Sequence, residues 1–184
     1  IRTFAIEPFK IPSGSMKPNL LVGDFLFVSK WDYGYSRYSF PFGLPPFKGK
    51  IFESNPERGD IIVFKLPGQE NINYVKRLVG LPGETIKVVN GKIYLKTQNS
   101  TDFEVLDQVE DGFFYDDQYS KDIQQLIENE YRILNITNDG PLDYTPEYEI
   151  PKDKFFFMGD NRDNSSDSRI LSGVGFVPKV NIVG

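Results

Sequence analysis

Ser13, Gly14 and Ser15, near the start of the chain, are the residues whose types best suit covalent chemistry. Pro12 and Pro18 bracket them, with Met16 and Lys17 following the second serine. Proline fixes φ and offers no N–H, whereas glycine permits backbone angles that other residues resist. Such a segment can hold a hydroxyl rigidly in an irregular conformation, as a nucleophile or an oxyanion hole requires. The same composition also describes an ordinary turn between two strands. Two absences narrow the chemistry. The 184 residues contain no cysteine and no histidine. Disulfides, thiolate nucleophiles, His-ligated metals and every Ser-His-Asp arrangement are therefore excluded. A serine nucleophile here needs a lysine, a carboxylate or a terminal amine as its base, and serine with lysine is one variant of triad logic.

The elements that must position such a pair read mainly as strands. Residues 3–10 alternate loosely and lead into the serine segment, and residues 20–30 read as a turn followed by a strand centred on Phe25, Leu26, Phe27 and Val28. Residues 31–52 are rich in aromatics and broken by Pro41, Pro45 and Pro46, which fits an extended excursion packed down on the fold or a contact surface for a membrane or partner. Arg58, Gly59 and Asp60 form a turn before a short buried strand at 61–64. Residues 73–79 form a strand with Lys76 in its middle, closed by a turn at 80–84. The strongest hairpin signal is Asn90-Gly91 between two apolar runs, 85–89 and 92–95.

From about residue 99 to 149 acidic residues cluster and strand signals weaken. Residues 120–127 are compatible with a short helix, whereas 131–136 fit a strand equally well. A buried strand at 154–158 then runs into the polar stretch 159–169. Its Asp and Asn spacing does not match a calcium loop, since Arg162 and Ser165 occupy positions where that loop needs an oxygen ligand and a glycine. Mutually satisfying Asp–Arg pairs, able to brace a neighbouring site, fit it better. With 16 Phe, 10 Tyr and 13 Pro, the expected architecture is all-β, mainly antiparallel; the weaker middle is expected to be an inserted, variable subdomain at 85–150 beside a core from 1–84 and 151–184.

The net charge of −5 gives no basic footprint for nucleic acid, and no metal or other cofactor is called for. No run reaches the roughly 18 apolar residues of a membrane span, and no secretory leader is visible. Both ends read as strand-like segments cut mid-run, which predicts a fragment of a longer protein.

Taken in order, four segments resemble the bacterial type I signal peptidases. Pro12-Ser13-Gly14-Ser15-Met16 with Pro18-Asn19-Leu20 is similar to the serine box of that family. The run 58–64 is similar to its next core strand, 74–84 to its lysine box, and 159–169 with Gly175-Phe176-Val177-Pro178 to its closing box. The resemblance implies a β-rich serine endopeptidase that removes signal peptides of exported pre-proteins after small residues at −3 and −1, the Ala-x-Ala type. It also implies an anchor in the bacterial cytoplasmic membrane, absent from this chain, with the catalytic region on the outer, periplasmic face and close to the membrane surface.

On that resemblance Ser15 is the expected nucleophile and Lys76 the general base. A lysine at its reference pKa near 10.4 is charged at pH 7, but burial can lower it by about 3–5 units, and Lys76 sits between Val75 and Leu78 in an apolar strand. Arg77 should point to the opposite face. The resemblance assigns the oxyanion to the Ser15 N–H and the Ser13 hydroxyl, and the orientation of Lys76 to Ser165. Asp167 with Arg169, and Asp160 with Arg77, are expected bracing pairs. Phe9, Ile11 and Pro12 on one edge and Tyr74 and Val75 on another could sandwich an extended peptide. Met16, Leu20, Leu26 and Val63 complete the expected substrate pockets, although Leu26 and Val63 fit an ordinary core equally well. Two other readings remain open at this point: a self-cleaving Ser–Lys regulatory protease, and a non-catalytic β-rich binding module.

Overall fold

Continuous apolar runs, rather than alternating ones, mark the strands that lie at the centre of this molecule. The computed structural model describes residues 6–29 and 55–184, so the aromatic excursion expected at 31–52 lies outside the described residues. The central sheet has four antiparallel strands: β3 (Ile61–Leu66), β4 (Gln69–Gly80), β12 (Lys154–Met158) and β13 (Val177–Pro178), in the order β13-β12-β4-β3. Ile62, Phe64, Leu78, Phe155 and Phe157 enter one hydrophobic cluster. Their alternate neighbours Val79, Phe156 and Met158 enter a second, and Val63 a third. Side chains alternate across a strand, so a sheet covered on both faces needs apolar residues at every position. That is why 61–64 and 155–158 read as unbroken runs.

Three further sheets surround this one. β1 (Ile6–Lys10) pairs with β2 (Phe25–Ser29). β5 (Thr85–Val89), β6 (Lys92–Lys96), β7 (Glu104–Val105) and β11 (Tyr148–Glu149) form a sheet in the order β11-β5-β6-β7. The β5–β6 turn is the expected Asn90-Gly91 hairpin, with both residues at positive φ, 52° and 72°. Ile86, Val88, Ile93 and Leu95 from this sheet pack with Val79, Phe156 and Met158 of the central one in a single cluster. The segment 85–150 is thus joined to the rest through shared core.

The last sheet contains β8 (Gln108–Asp116), β9 (Lys121–Glu128) and β10 (Tyr131–Asn135), with β9 in the middle. The helix considered for 120–127 is therefore a strand. Ser120 and Asn129, both at positive φ, reverse the chain at either end of β9, and each of its edges has a ladder partner. A helix there would leave β8 and β10 without that pairing. Among the described residues the only helical segments are single 3₁₀ turns, Gly14–Met16, Arg162–Asn164 and Lys179–Asn181. The all-β expectation agrees with this architecture.

Candidate active site

The serine segment folds as an extended Ser13 followed by the 3₁₀ turn Gly14–Met16. Met16 is buried, and Ile11 is held from both sides, its N–H donating to the Asp24 carbonyl and its carbonyl accepting from Gly23. The turn is gripped from the loop after β12. The Asn161 N–H donates to the Ser15 carbonyl at 3.0 Å, and the Asn161 side-chain amide donates to the Gly14 carbonyl at 3.1 Å. A chain segment nearly 150 positions away therefore fixes the backbone that presents Ser15.

Lys76 reaches Ser15 from β4. Its Nζ donates to Ser15 Oγ at 2.5 Å, with Lys76 5% and Ser15 7% exposed. Burial pushes the Lys76 ammonium down from an ordinary 10.5 to about 8; the charges of Asp167 and Asp160 pull it back up, and that of Arg169 lowers it further. A neutral amine at this distance accepts the hydroxyl proton through the same contact. Ser13 Oγ lies 3.3 Å from Ser15 Oγ, close enough for the two hydroxyls to address the same carbonyl group.

The two expected bracing pairs are both formed. Arg77 clasps Asp160 through Nε and Nη2, each at 2.8 Å, and lays its guanidinium over the Tyr131 ring. Asp167 accepts from Arg169 Nε and Nη2, both at 2.9 Å, and from the Gly159 N–H at 3.0 Å. Burial would raise the Asp167 carboxyl, but the Arg169 guanidinium outweighs it and holds the acid below the usual carboxylate range. Lys76 thus faces a charged cage whose members are themselves paired.

Ser165 departs from expectation. It is buried at the site, yet its Oγ has no hydrogen-bond partner, so the contact with Lys76 assigned by resemblance is not made. Its hydroxyl lies over Gly159 instead, where the missing side chain leaves room for it: a Cβ there would lie 2.1 Å from Ser165 Oγ and 2.7 Å from the Ser15 carbonyl oxygen.

A cleft of about 830 Å³ opens in front of Ser15 and Lys76. Phe9, Ile11, Pro12 and Met16 line one side of it, and Tyr74 and Val75 another. β1 pairs only with β2, and β4 meets β12 only from Arg77 onward, so residues 9–12 and 73–75 each keep an edge without a strand partner among the described residues. Leu20, Leu26 and Val63 do not line this cleft. Val63 is a core residue packed with Val28 and Val183, and Leu26 is packed against that same cluster, while the Leu20 N–H closes the serine turn onto the Met16 carbonyl.

Several residues of the site escaped sequence reasoning. Asn161 and Gly159 lie in the polar stretch that the resemblance covers, but nothing local distinguishes them from their neighbours. Arg162 makes a buried double contact with Glu128 of β9, and Lys17 one with Asp116 at the end of β8. Both partners come from the segment with the weakest signals. No group of His, Cys, Asp or Glu suited to a metal ion occurs among the described residues.

Residues 1–184 match the family described as signal peptidase, peptidase S26. The chain belongs to this family. Among its relatives, signal peptidase I of Rickettsia typhi is 38% identical over 195 residues, covering 100% of this chain and 71% of that protein. Signal peptidase I of Rickettsia akari is 39% identical over 194 residues, covering 100% and 70%. The crystal structure of a signal peptidase I from Enterococcus faecalis V583 aligns with a TM-score of 0.44 at 27% identity, covering 71% of this chain and 96% of that one. Among the described residues of this signal peptidase family member, no helix is long and apolar enough to cross a membrane.

Proposed function

We propose that Ser15 is the nucleophile and Lys76 the general base of this signal peptidase. A serine protease of this family removes signal peptides from pre-proteins. The observation that carries the assignment is the Lys76 Nζ to Ser15 Oγ contact at 2.5 Å between two buried side chains. Neutral Lys76 takes the proton as Ser15 Oγ attacks the scissile carbonyl, and the resulting ammonium passes that proton to the departing amine. Water then hydrolyses the acyl-enzyme with Lys76 again as base. The Ser15 N–H and Ser13 hydroxyl stabilise the oxyanion, each contributing about 3–4 kcal/mol.

The substrate chain binds extended between the free edges at 9–12 and 73–75. Shallow apolar walls from Ile11, Met16, Tyr74 and Val75 favour small residues at −1 and −3, the Ala-x-Ala pattern. The catalytic region works at the outer face of a bacterial cytoplasmic membrane. Phe25 and Phe27, 67% and 69% exposed on β2, support contact with a lipid surface. A core from 1–84 and 151–184 with 85–150 as an insertion is the division we favour, because the proposed catalytic residues all fall in the first two stretches.

The test is incubation with a pre-protein whose signal ends in Ala-x-Ala. The wild-type chain releases the mature protein, whereas Ser15→Ala and Lys76→Ala release none. Cleavage by folded Ser15→Ala at the wild-type rate would remove the assignment.

A further inference from the structure

We propose that Asp116, acting through Lys17, is a positioning residue for the nucleophile, so that the tip of the β8–β9 hairpin seats the turn that presents Ser15. The inference rests on Ser15 being the nucleophile. Asp116 is fully buried at the end of β8, and Lys17, two residues after Ser15, is buried against it. Lys17 Nζ donates to both carboxylate oxygens, at 3.0 and 2.9 Å. The carboxylate is further engaged within its own hairpin, where Oδ1 accepts from the Gln118 N–H at 2.8 Å. Those hydrogen bonds outweigh the burial that would otherwise raise the acid.

The lysine end of this pair bears directly on the serine turn. A Cβ on Gly14 would lie 3.1 Å from Lys17 Cε and 3.5 Å from Nζ, so the lysine stem packs under the residue preceding Ser15. The Lys17 N–H also closes the turn onto the Gly14 carbonyl at 3.2 Å. Gln118, held by Asp116 from the other side, lines the same cleft as Ser15 and Lys76. One carboxylate therefore fixes the floor of the serine turn and a residue of the cleft wall. Breaking one half of a buried pair leaves a charge without compensation, which the surrounding backbone must move to solvate.

That charge also reports on itself through Lys76. Lys76 already faces Asp167, Asp160 and Arg169, with the Tyr74 ring beside it, and neither Lys17 nor Asp116 stands among the charges that shift it while the two are paired. Asp116→Asn leaves a lone cation beside Gly14, the neighbour of the serine that Lys76 touches, and moves the acid limb of kcat/KM to lower pH. Lys17→Met leaves a lone anion and moves it to higher pH. The Lys17→Met/Asp116→Asn double variant buries no charge and returns the limb to the wild-type position.

The experiment measures kcat, KM, the pH profile and thermal unfolding of these three variants, with Ser15→Ala alongside, on an Ala-x-Ala pre-protein. Asp116→Asn is expected to lower kcat at least tenfold with KM within about threefold, together with the opposed limb shifts. Should one single variant not fold, the limb of the other, set against the double variant, carries the same comparison. Folded variants that keep the wild-type kcat and limb while Ser15→Ala is inactive overturn the positioning role alone. An active Ser15→Ala instead overturns the nucleophile assignment beneath it.

Discussion

The N–H of Asn161 donates to the carbonyl oxygen of Ser15 at 3.0 Å, so the loop that leaves β12 holds the backbone of the residue proposed to attack the substrate. The Asn161 side-chain amide repeats the grip one residue earlier, on the Gly14 carbonyl. Asn161→Ala keeps the backbone bond and removes the second, leaving the Gly14 carbonyl with the Lys17 N–H at 3.2 Å as its remaining donor. Losing one such bond costs about 0.5–1.5 kcal/mol. Because it falls on the geometry of the turn, kcat should drop roughly tenfold or more, with KM little changed, in steady-state cleavage of a pre-protein. Asn161→Asp should be worse, since it sets a carboxylate oxygen against a carbonyl.

Gly159 is required for space rather than for backbone freedom. Gly159→Ala would set a Cβ 2.1 Å from Ser165 Oγ, 2.5 Å from Ser165 Cβ and 2.7 Å from the Ser15 carbonyl oxygen. The last of these is backbone and cannot swing aside, so the turn itself must shift. Overpacking of this kind costs about 1–3 kcal/mol. Adding Ser165→Gly removes the first two clashes and not the third. Thermal unfolding of the double variant should therefore recover part of the lost stability, while its cleavage rate stays low.

Much of this site was legible in the sequence because its residues fall in the segments that carry the resemblance. The absence of histidine and cysteine removed the commoner serine and thiol chemistries, and the resemblance then pointed to Ser15 and Lys76. The central strands were legible because a sheet buried on both faces needs unbroken apolar runs, as at 61–64 and 155–158. What escaped was long-range and polar. Asp116 and Glu128 look like members of an ordinary acidic surface, and only the fold brings them to Lys17 and Arg162. The strand β9 escaped for a related reason. Ile123 and Leu126, three apart, suggest a helical face, and the tight turns at Ser120 and Asn129 that make it a strand carry no glycine to announce them. Leu26 and Val63 show the converse, since apolar residues near a site on the chain need not face it.

The lowered value of Lys76 has consequences for stability as well as for rate. Its pKa is about 8 folded, against an ordinary 10.5. Between these values the unfolded chain binds more protons, so stability rises with pH from about 8 to about 10.5. Below pH 8 both states hold the proton, and the full cost of burying the ammonium, on the order of 3 kcal/mol, is present. Lys76→Met should therefore be the more stable protein at pH 7, by an amount that shrinks above pH 8. Denaturant melts of the two proteins across that range test this. In wild type kcat/KM should climb with pH up to about 8; a limb near an ordinary lysine value would contradict the base assignment.

Glu128 and Arg162 join the β8–β9–β10 sheet to the loop that carries Asn161. Arg162 Nη1 donates to Glu128 Oε1 at 2.8 Å, Nη2 reaches Oε2, and Nε turns back to the Gly159 carbonyl at 3.1 Å. Both side chains are almost wholly removed from water. Glu128→Gln keeps the shape and removes the charge, leaving a buried guanidinium without its counter-ion. Breaking one half of such a pair costs about 3–5 kcal/mol, which for a chain of this size lowers Tm by roughly 10 °C. Glu128→Gln/Arg162→Met, which removes both charges, should regain most of that loss, because the penalty lies in the unpaired charge rather than in the missing attraction. If calorimetry finds the double variant no more stable than Glu128→Gln, the pair instead holds the loop through its directed hydrogen bonds. The cleavage rate would then fall with it, since the loop that Arg162 anchors is the one that grips Ser15.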